Sequence, residues 1–125
     1  MMDPTLALLR DRLVAALLPR RIILFGSRAR GTAKADSDYD LLIVAETDLP
    51  LEDRIFQARR AVRDVRVPKD IVVVTPEEFR KYSTWLTGVV REAAEHGEVL
   101  YEAAYGWAVP RRPSEPATED RSTSD

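Results

Sequence analysis

The segment that decides the fold, residues 26–40, reads GSRARGTAKADSDYD and lies between two short apolar runs. The run before it, residues 22–25, is rich in β-branched and apolar side chains and stops at Gly26. The run after it, residues 41–44, has the same character. Short apolar runs bounded by turn-forming residues are typical of buried strands. The sequence therefore predicts two buried strands that are joined by a charged loop.

Helices and a third strand are predicted around this unit. Asp3 and Pro4 match an N-cap followed by proline at the first helical position. Leucines then recur at helical spacing, up to an expected helix end near Leu18: Leu6, Leu9, Leu13 and Leu17. A second amphipathic stripe consists of Leu51, Ile55, Ala58, Val62 and Val65. Residues 71–74 form a third apolar run, so the order of helices and strands predicts an α/β domain of the α+β kind.

A further helix is expected to start at Thr75. This residue can act as the cap, Pro76 occupies the first helical position, and Glu78 completes a capping box. Six apolar side chains could line the buried face of one helix: Phe79, Trp85, Leu86, Val89, Val90 and Ala93. Gly88 leaves open a division of that stretch into two helices. Gly97 is a candidate C-cap, and residues 99–101 are expected to add a short closing segment.

The composition indicates one soluble domain. The chain has 125 residues, of which 45% are hydrophobic and 32% charged, and it contains no cysteine. A disulfide framework and a thiolate metal site are therefore excluded, and a reducing cytoplasm is the expected location. Neither a membrane span nor a signal peptide is predicted. We expect a domain over residues 1–108 and a disordered tail over residues 109–125, which is rich in proline, serine and threonine.

The charge distribution says more about function than its sum. The formal net charge is -2, so direct nucleic-acid binding is not expected. Membrane contact is not expected either, because no apolar run is long enough to span a membrane. Basic and acidic residues are nevertheless concentrated in adjacent clusters: Arg20, Arg21, Arg28, Arg30 and Lys34, then Asp36, Asp38 and Asp40. A charged surface loop is one interpretation. A site for a polyphosphate that binds together with a divalent metal is the other.

The carboxylates at the predicted strand starts favour the second interpretation. Asp38 and Asp40 are two residues apart, and alternate residues of a strand project to the same face. Two adjacent negative charges are unfavourable unless a cation lies between them, and Mg²⁺ prefers oxygen ligands. Asp70 opens the third strand and could complete a group of three if that strand lies beside the second. The sequence therefore predicts Asp38, Asp40 and Asp70 as metal ligands and catalytic residues.

A site of this kind would use two Mg²⁺ ions, one at the triphosphate and one that activates an attacking hydroxyl. Gly26 and Ser27 are predicted to bind the nucleotide, because a glycine lets backbone amides approach a phosphate and the serine adds a hydroxyl donor. Ser27 could equally be a helix N-cap. Arg28 is a further candidate for nucleotide binding, and Arg30 would face a different direction on a helix.

Two other phosphate or metal motifs fail on the same residues. Gly26 and Gly31 have P-loop spacing, but Thr32 and Ala33 follow where lysine and serine or threonine are required. The spaced aspartates from Asp36 onward match the start of an EF-hand loop, which needs a glycine at the position of Leu41 and a glutamate at that of Thr47.

The arrangement resembles the DNA polymerase β-like nucleotidyltransferase superfamily. Gly26 and Ser27, ten further residues, and then Asp38 and Asp40 match its GS-x10-DxD pattern. The chain resembles the minimal branch of this superfamily, the MNT proteins, in its short length, in the sequence FGSRARG at residues 25–31 and in the presence of Asp70. The resemblance covers about residues 5–101.

The resemblance implies a small mixed sheet with helices mainly on one face. It also implies that Asp38 and Asp40 bind Mg²⁺, that Asp70 helps to activate the acceptor, and that Gly26 and Ser27 hold the triphosphate. MNT proteins are antitoxins that transfer AMP from ATP to a tyrosine of a HEPN ribonuclease. A HEPN-domain toxin is thus the expected partner.

Two other functions stay open. The chain could neutralise a partner by contact alone, or it could modify a small molecule of the aminoglycoside type. Neutralisation by contact does not need clustered carboxylates, which only destabilise a fold in which they have no function. The second would need room for an acceptor site, which about 100 ordered residues do not provide. An aromatic partner surface at Tyr101, Tyr105 and Trp107 is a further candidate.

Overall fold

The computed structural model describes residues 2–85 and 88–104. Within them, five helices and four strands form an α+β domain around one mixed sheet, which confirms the predicted fold class. In chain order the elements are α1 (Pro4–Leu17), β1 (Arg21–Phe25), α2 (Ser27–Arg30), β2 (Tyr39–Val44), α3 (Leu51–Ala61), β3 (Lys69–Val74), α4 (Pro76–Tyr82), α5 (Val89–His96) and β4 (Glu98–Glu102).

The sheet has the strand order β3-β2-β1-β4. β1 pairs with β2 and with β4 in antiparallel fashion, and β2 pairs with β3 in parallel. Parallel neighbours need a crossover connection, which α3 provides. Because β2 and β3 run in the same direction, their first residues lie at the same edge of the sheet. This edge carries the aspartates that the sequence singled out.

Helices cover both faces of the sheet. α1 and α3, the two longest helices, pack on the face formed by Leu41, Ile43, Ile71 and Val73. α5 contributes Val90 and Ala93 to a second, smaller core on the other face, and Phe79 and Tyr82 of α4 pack against it. The prediction of helices mainly on one face therefore holds for the long helices, and the sheet is buried on both sides along most of its length.

Local capping signals are realised as predicted. The Asp3 side chain accepts a hydrogen bond of 2.9 Å from the backbone N–H of Thr5 and caps α1. At α4, the Thr75 hydroxyl accepts from the backbone N–H of Glu78, and the Glu78 carboxylate accepts in return from the backbone N–H of Thr75. Such reciprocal bonds satisfy amides that a helix start leaves without partners.

The chain between Thr75 and Gly97 forms two helices, the second of which begins after Gly88, so the alternative of a divided stretch is confirmed. α4 ends at Tyr82, before Trp85, so helical spacing no longer places Trp85 on the buried face. The prediction of a buried Trp85 is wrong: the residue is 52% exposed, and its ring packs edge-on against Tyr82 at 4.4 Å between centroids. Gly97 caps α5 with extended backbone, and β4 confirms the closing segment.

Some sequence predictions fall on residues outside the described ranges. They concern Leu86, Tyr105, Trp107 and the tail over residues 109–125. Among the helices of residues 2–85 and 88–104, none has both the length and the apolar character that a membrane crossing requires.

Candidate active site

The parallel pairing of β2 and β3 makes Asp40 and Asp70 direct neighbours in register. Asp38 precedes β2 by one residue, and its negative charge acts on Asp40. Asp40 is half-buried, whereas Asp38 and Asp70 are exposed. The structure thus brings the three predicted carboxylates to one edge of the sheet, on the face that carries α4 and α5.

Asp40 is the electrostatic centre of this group. Its pKa is raised above the ordinary value, first by burial and then by the negative charges of Asp70, Asp38 and Glu92, while Arg30 opposes the shift. Burial and like charges both disfavour an ionised carboxylate. The environment of Asp40 therefore favours the arrival of a cation or a proton.

Glu92 is a member of this charged group that sequence reasoning missed. It lies on α5 and forms an ion pair of 2.5 Å with Arg30 of α2. The pair connects the loop after β1 to α5 beside Asp40. Nothing in the local sequence around Glu92 indicates a functional role, since it matches an ordinary acidic residue in the first turn of a helix.

Gly26 makes room for the carboxylate of Asp40. The backbone of Gly26 has a φ of +76°, which L side chains rarely adopt, and an added Cβ would lie 2.1 Å from Oδ2 of Asp40. Phe25, the preceding residue, pairs with Asp40 across the β1–β2 ladder. A glycine is therefore required at position 26 so that Asp40 can take its position. This requirement adds to the predicted one, that a glycine lets a phosphate approach the backbone.

Ser27 is the first residue of α2, and Gly26 takes the N-cap position. The alternative that Ser27 caps the helix is therefore wrong. The backbone carbonyl of Gly26 accepts hydrogen bonds from the amides of Ala29 and Arg30, both at 3.1 Å. Within residues 2–85 and 88–104, the Ser27 hydroxyl has no hydrogen-bond partner, so it is available to a ligand.

Arg28 binds the loop that leads to β2. Its guanidinium donates to the carbonyl of Ser37 at 2.9 and 3.2 Å and to that of Ala35 at 3.3 Å. The same group lies 3.9 Å from the centroid of the Tyr39 ring. These contacts fix the loop immediately before Asp38, and the nucleotide-binding role of Arg28 stays a prediction.

Tyr39 anchors the segment between the two aspartates. It is buried on the opposite face from Asp40, and its hydroxyl donates a hydrogen bond of 2.5 Å to Oδ2 of Asp3. This bond is the main reason that the pKa of Asp3 is lowered, while burial and then the same bond raise the pKa of Tyr39. A chain of contacts from Arg28 through Tyr39 to Asp3 thus ties the aspartates to the start of α1.

The donor chemistry of this edge suits a hard divalent cation. Carboxylate oxygens are the ligands that Mg²⁺ prefers, and Asp40 lies among three further acidic side chains. Within residues 2–85 and 88–104, however, no three His, Cys, Asp or Glu side chains lie close enough together to hold a metal ion. The assignment of Asp38, Asp40 and Asp70 as ligands therefore remains a prediction.

The mixed sheet and its acidic edge define a class of protein once they are compared with known families. The profile of the nucleotidyltransferase domain matches residues 6–100, which include every predicted site residue. The chain belongs to this family and is an enzyme of the nucleotidyltransferase kind.

Several individual proteins are similar. A provisionally named protein adenylyltransferase from Methanocaldococcus jannaschii is 35% identical over 82 residues, which cover 66% of this chain and 78% of the relative. A provisionally named nucleotidyltransferase from Sulfolobus solfataricus has a similar crystal structure, with a TM-score of 0.60 and 20% identity over 82% of this chain and 81% of that chain.

A crystal structure of a toxin–antitoxin with AMP-PNP has a TM-score of 0.53 and 22% identity, over 78% of this chain and 73% of that chain. A mutant of the toxin–antitoxin MntA–HpeT has a TM-score of 0.52 and 18% identity, over 82% of this chain and 77% of that chain. At this level of identity the structural likeness shows the shared fold.

Proposed function

We propose that the chain is a Mg²⁺-dependent protein adenylyltransferase that transfers AMP from ATP to a hydroxyl group of a partner protein. The acceptor oxygen forms a bond to the α-phosphorus, the bond from this phosphorus to the β-phosphate breaks, and pyrophosphate leaves. The acceptor is a tyrosine of a HEPN-type ribonuclease toxin, and the chain acts as its antitoxin in the cytoplasm. The observation that carries the proposal is the in-register pairing of Asp40 with Asp70, with Asp38 beside them and Gly26 against Asp40. A contact antitoxin without catalysis would gain nothing from this costly arrangement of charges.

The comparisons support the acceptor class. The relative from M. jannaschii is named for protein adenylylation, and two solved structures with this fold are toxin–antitoxin proteins, one of them with AMP-PNP.

Each part of the site has a proposed role. Asp38, Asp40 and Asp70 would hold Mg²⁺, which supplies charge neutralisation at the phosphates and lowers the pKa of the acceptor hydroxyl. The Ser27 hydroxyl and the backbone next to Gly26 bind phosphate oxygens. Asp70 is exposed at the start of the edge strand, so it can receive the acceptor and take part in deprotonating it. Displacement at phosphorus depends mainly on such positioning.

A labelled transfer experiment tests the proposal. The chain is incubated with ATP labelled in the α-phosphate, Mg²⁺ and the product of the neighbouring gene, and label on that protein is measured. Asp38→Asn should reduce transfer by about two orders of magnitude or more, because it removes one of the carboxylates that position the reaction. Asp36→Asn is the matched control, since Asp36 is an exposed aspartate two residues earlier in the same loop.

The alternatives give different results. If Asp38→Asn still neutralises the partner and the unaltered chain transfers no label, neutralisation by contact is correct and the proposal is wrong. If label appears on an added aminoglycoside and not on the protein, the acceptor is a small molecule.

A further inference from the structure

A basic groove lies on the outer side of α3 and of the segment that follows it. The groove has a volume of about 500 Å³ and is lined by Phe56, Arg59, Arg60, Arg63, Val67 and Lys69. We call it the α3 groove. None of its residues takes part in the nucleotide site described above.

The arginines of the α3 groove have no acidic partner among the residues that the structure describes. Within residues 2–85 and 88–104, the ion pairs formed by arginine involve other side chains, and Arg59, Arg60 and Arg63 make none. The nearby Asp64 is bound by Arg12. Arg59 and Arg60 lie in the last turn of α3, and Arg63 follows the helix by two residues, so the three positive charges are close together along the chain. A cluster of this kind in a chain of net charge -2 indicates an external acidic partner.

An exposed aromatic side chain accompanies the arginines. Phe56 is 64% exposed, and its spacing to Arg59 and Arg60 places it on the same helix face. Aromatic side chains and arginine are enriched where proteins bind proteins. Aromatic rings beside arginine can also stack on the bases of single-stranded nucleic acid, but the net charge of -2 favours a polypeptide partner.

The end of the α3 groove next to β3 is held in place by Lys69. Its ammonium group donates to the backbone carbonyls of Val65 at 2.7 Å and of Val67 at 3.2 Å. The segment between α3 and β3 is therefore fixed to the strand, and the arginine side chains project from a defined backbone.

The α3 groove and the catalytic carboxylates lie at the same end of β3. Lys69 is the first residue of this strand and Asp70 the second, so their side chains project to opposite faces. Among the strands of residues 2–85 and 88–104, β3 lies at the edge of the sheet, and none of them separates the groove from Asp70. A segment bound in the groove would pass the edge of the sheet directly beside Asp70.

We propose that the α3 groove binds an acidic segment of the acceptor protein. Carboxylates of that segment contact Arg59, Arg60 and Arg63, an apolar side chain packs on Phe56, and the adjoining hydroxyl reaches Asp70. The proposal rests on the proposed function, because it takes the acceptor to be a protein.

Binding can be measured without catalysis. The probe is a short fluorescein-labelled peptide of glutamate, tyrosine and leucine, and its affinity for the full chain is determined by anisotropy in the absence of ATP. Phe56→Ala and Arg60→Glu should each weaken binding roughly tenfold or more. The matched controls are Trp85→Ala, which removes another exposed aromatic ring, and Arg66→Glu, which reverses a charge just outside the groove.

The thermal shift caused by Mg²⁺ and ATP should be the same in all four variants as in the unaltered chain, which shows that the nucleotide site is intact. Peptide binding that is absent, or equally weakened by the controls, overturns the proposal. A single-stranded RNA that binds more tightly than the peptide and depends on Arg60 overturns it in favour of nucleic acid. A failure of the proposed function itself is recognised separately, as nucleotide binding without AMP transfer to the neighbouring gene's product.

Discussion

The α-carbon of Gly26 faces the carboxylate of Asp40 so closely that a Cβ built on it would lie 2.1 Å from Oδ2. Glycine is thus necessary for two reasons, its φ of +76° and the space that Asp40 occupies. The first residue of the phosphate segment and the second aspartate of the DxD pattern are in direct contact in the fold. A change at one of them therefore displaces the other.

Gly26→Ala should reduce both stability and activity. The strained φ costs about 1–3 kcal/mol, and the clash displaces Asp40, for which a loss of about two orders of magnitude in rate is expected. Gly31→Ala is the control, because Gly31 has a similar φ of +80° and nothing within 4 Å of an added Cβ. Denaturant unfolding and the rate of AMP transfer are measured for both. Equal rates in the two variants would contradict the role of the Asp40 contact.

Asp40→Asn should stabilise the metal-free fold at neutral pH while it abolishes transfer. The pKa of Asp40 is raised above its ordinary 3.8, so the ionised carboxylate destabilises the folded state above that raised value. The variant should gain on the order of 1 kcal/mol, as other substitutions that relieve functional strain do. This gain should disappear as the pH falls through the raised pKa, because the aspartate then takes up its proton.

The measurement for Asp40→Asn is thermal unfolding in the presence of a chelator over a range of pH. Added Mg²⁺ should raise the melting temperature of the unaltered chain and have little effect on the variant. A variant that is less stable than the unaltered chain at neutral pH would show that the neighbouring charges do not control Asp40.

Tyr39→Phe should destabilise the fold by about 1 kcal/mol at neutral pH, because it removes the hydrogen bond to the ionised Asp3. The bond lowers the pKa of Asp3 below its ordinary 3.8. The hydrogen bond therefore stabilises the fold fully above pH 3.8, and this stabilisation is lost as the pH falls through the lowered pKa of Asp3. Urea unfolding of the variant and the unaltered chain should give a difference that is full at neutral pH and shrinks in strong acid. A difference that grows as the pH falls would refute this explanation.

Arg28→Lys should loosen the loop before Asp38 almost as much as Arg28→Ala does. A lysine cannot donate to the carbonyls of Ala35 and Ser37 in the planar geometry of a guanidinium, nor stack as well on Tyr39. We expect a stability loss of about 1–2 kcal/mol and faster proteolysis within residues 31–38. Arg30→Lys serves as the comparison, since its ion pair with Glu92 needs only a positive charge. Full retention of loop protection in Arg28→Lys would show that charge alone is sufficient.

Much of the fold follows from local patterns. The caps at Asp3 and Thr75 were predicted correctly because their signals lie within one helical turn. The start of β3 at Lys69 and the exposure of Trp85 were not predicted correctly. Both depend on contacts with elements that are distant along the chain. Helical spacing carries no information on where α4 stops.

The candidate site divides in the same way. By itself, the sequence determined the GS-x10-DxD spacing and the alternation that puts Asp38 and Asp40 on one side of a strand, because both are properties of a continuous segment. Only the tertiary structure decided that Asp70 lies in register with Asp40. It also decided that the charge of Glu92 acts on Asp40 and that Gly26 packs against the Asp40 carboxylate. These relationships arise from the parallel pairing of β2 with β3 and the packing of α5 on the sheet. Local propensity specifies neither of them, since each depends on the burial of side chains that are distant along the chain.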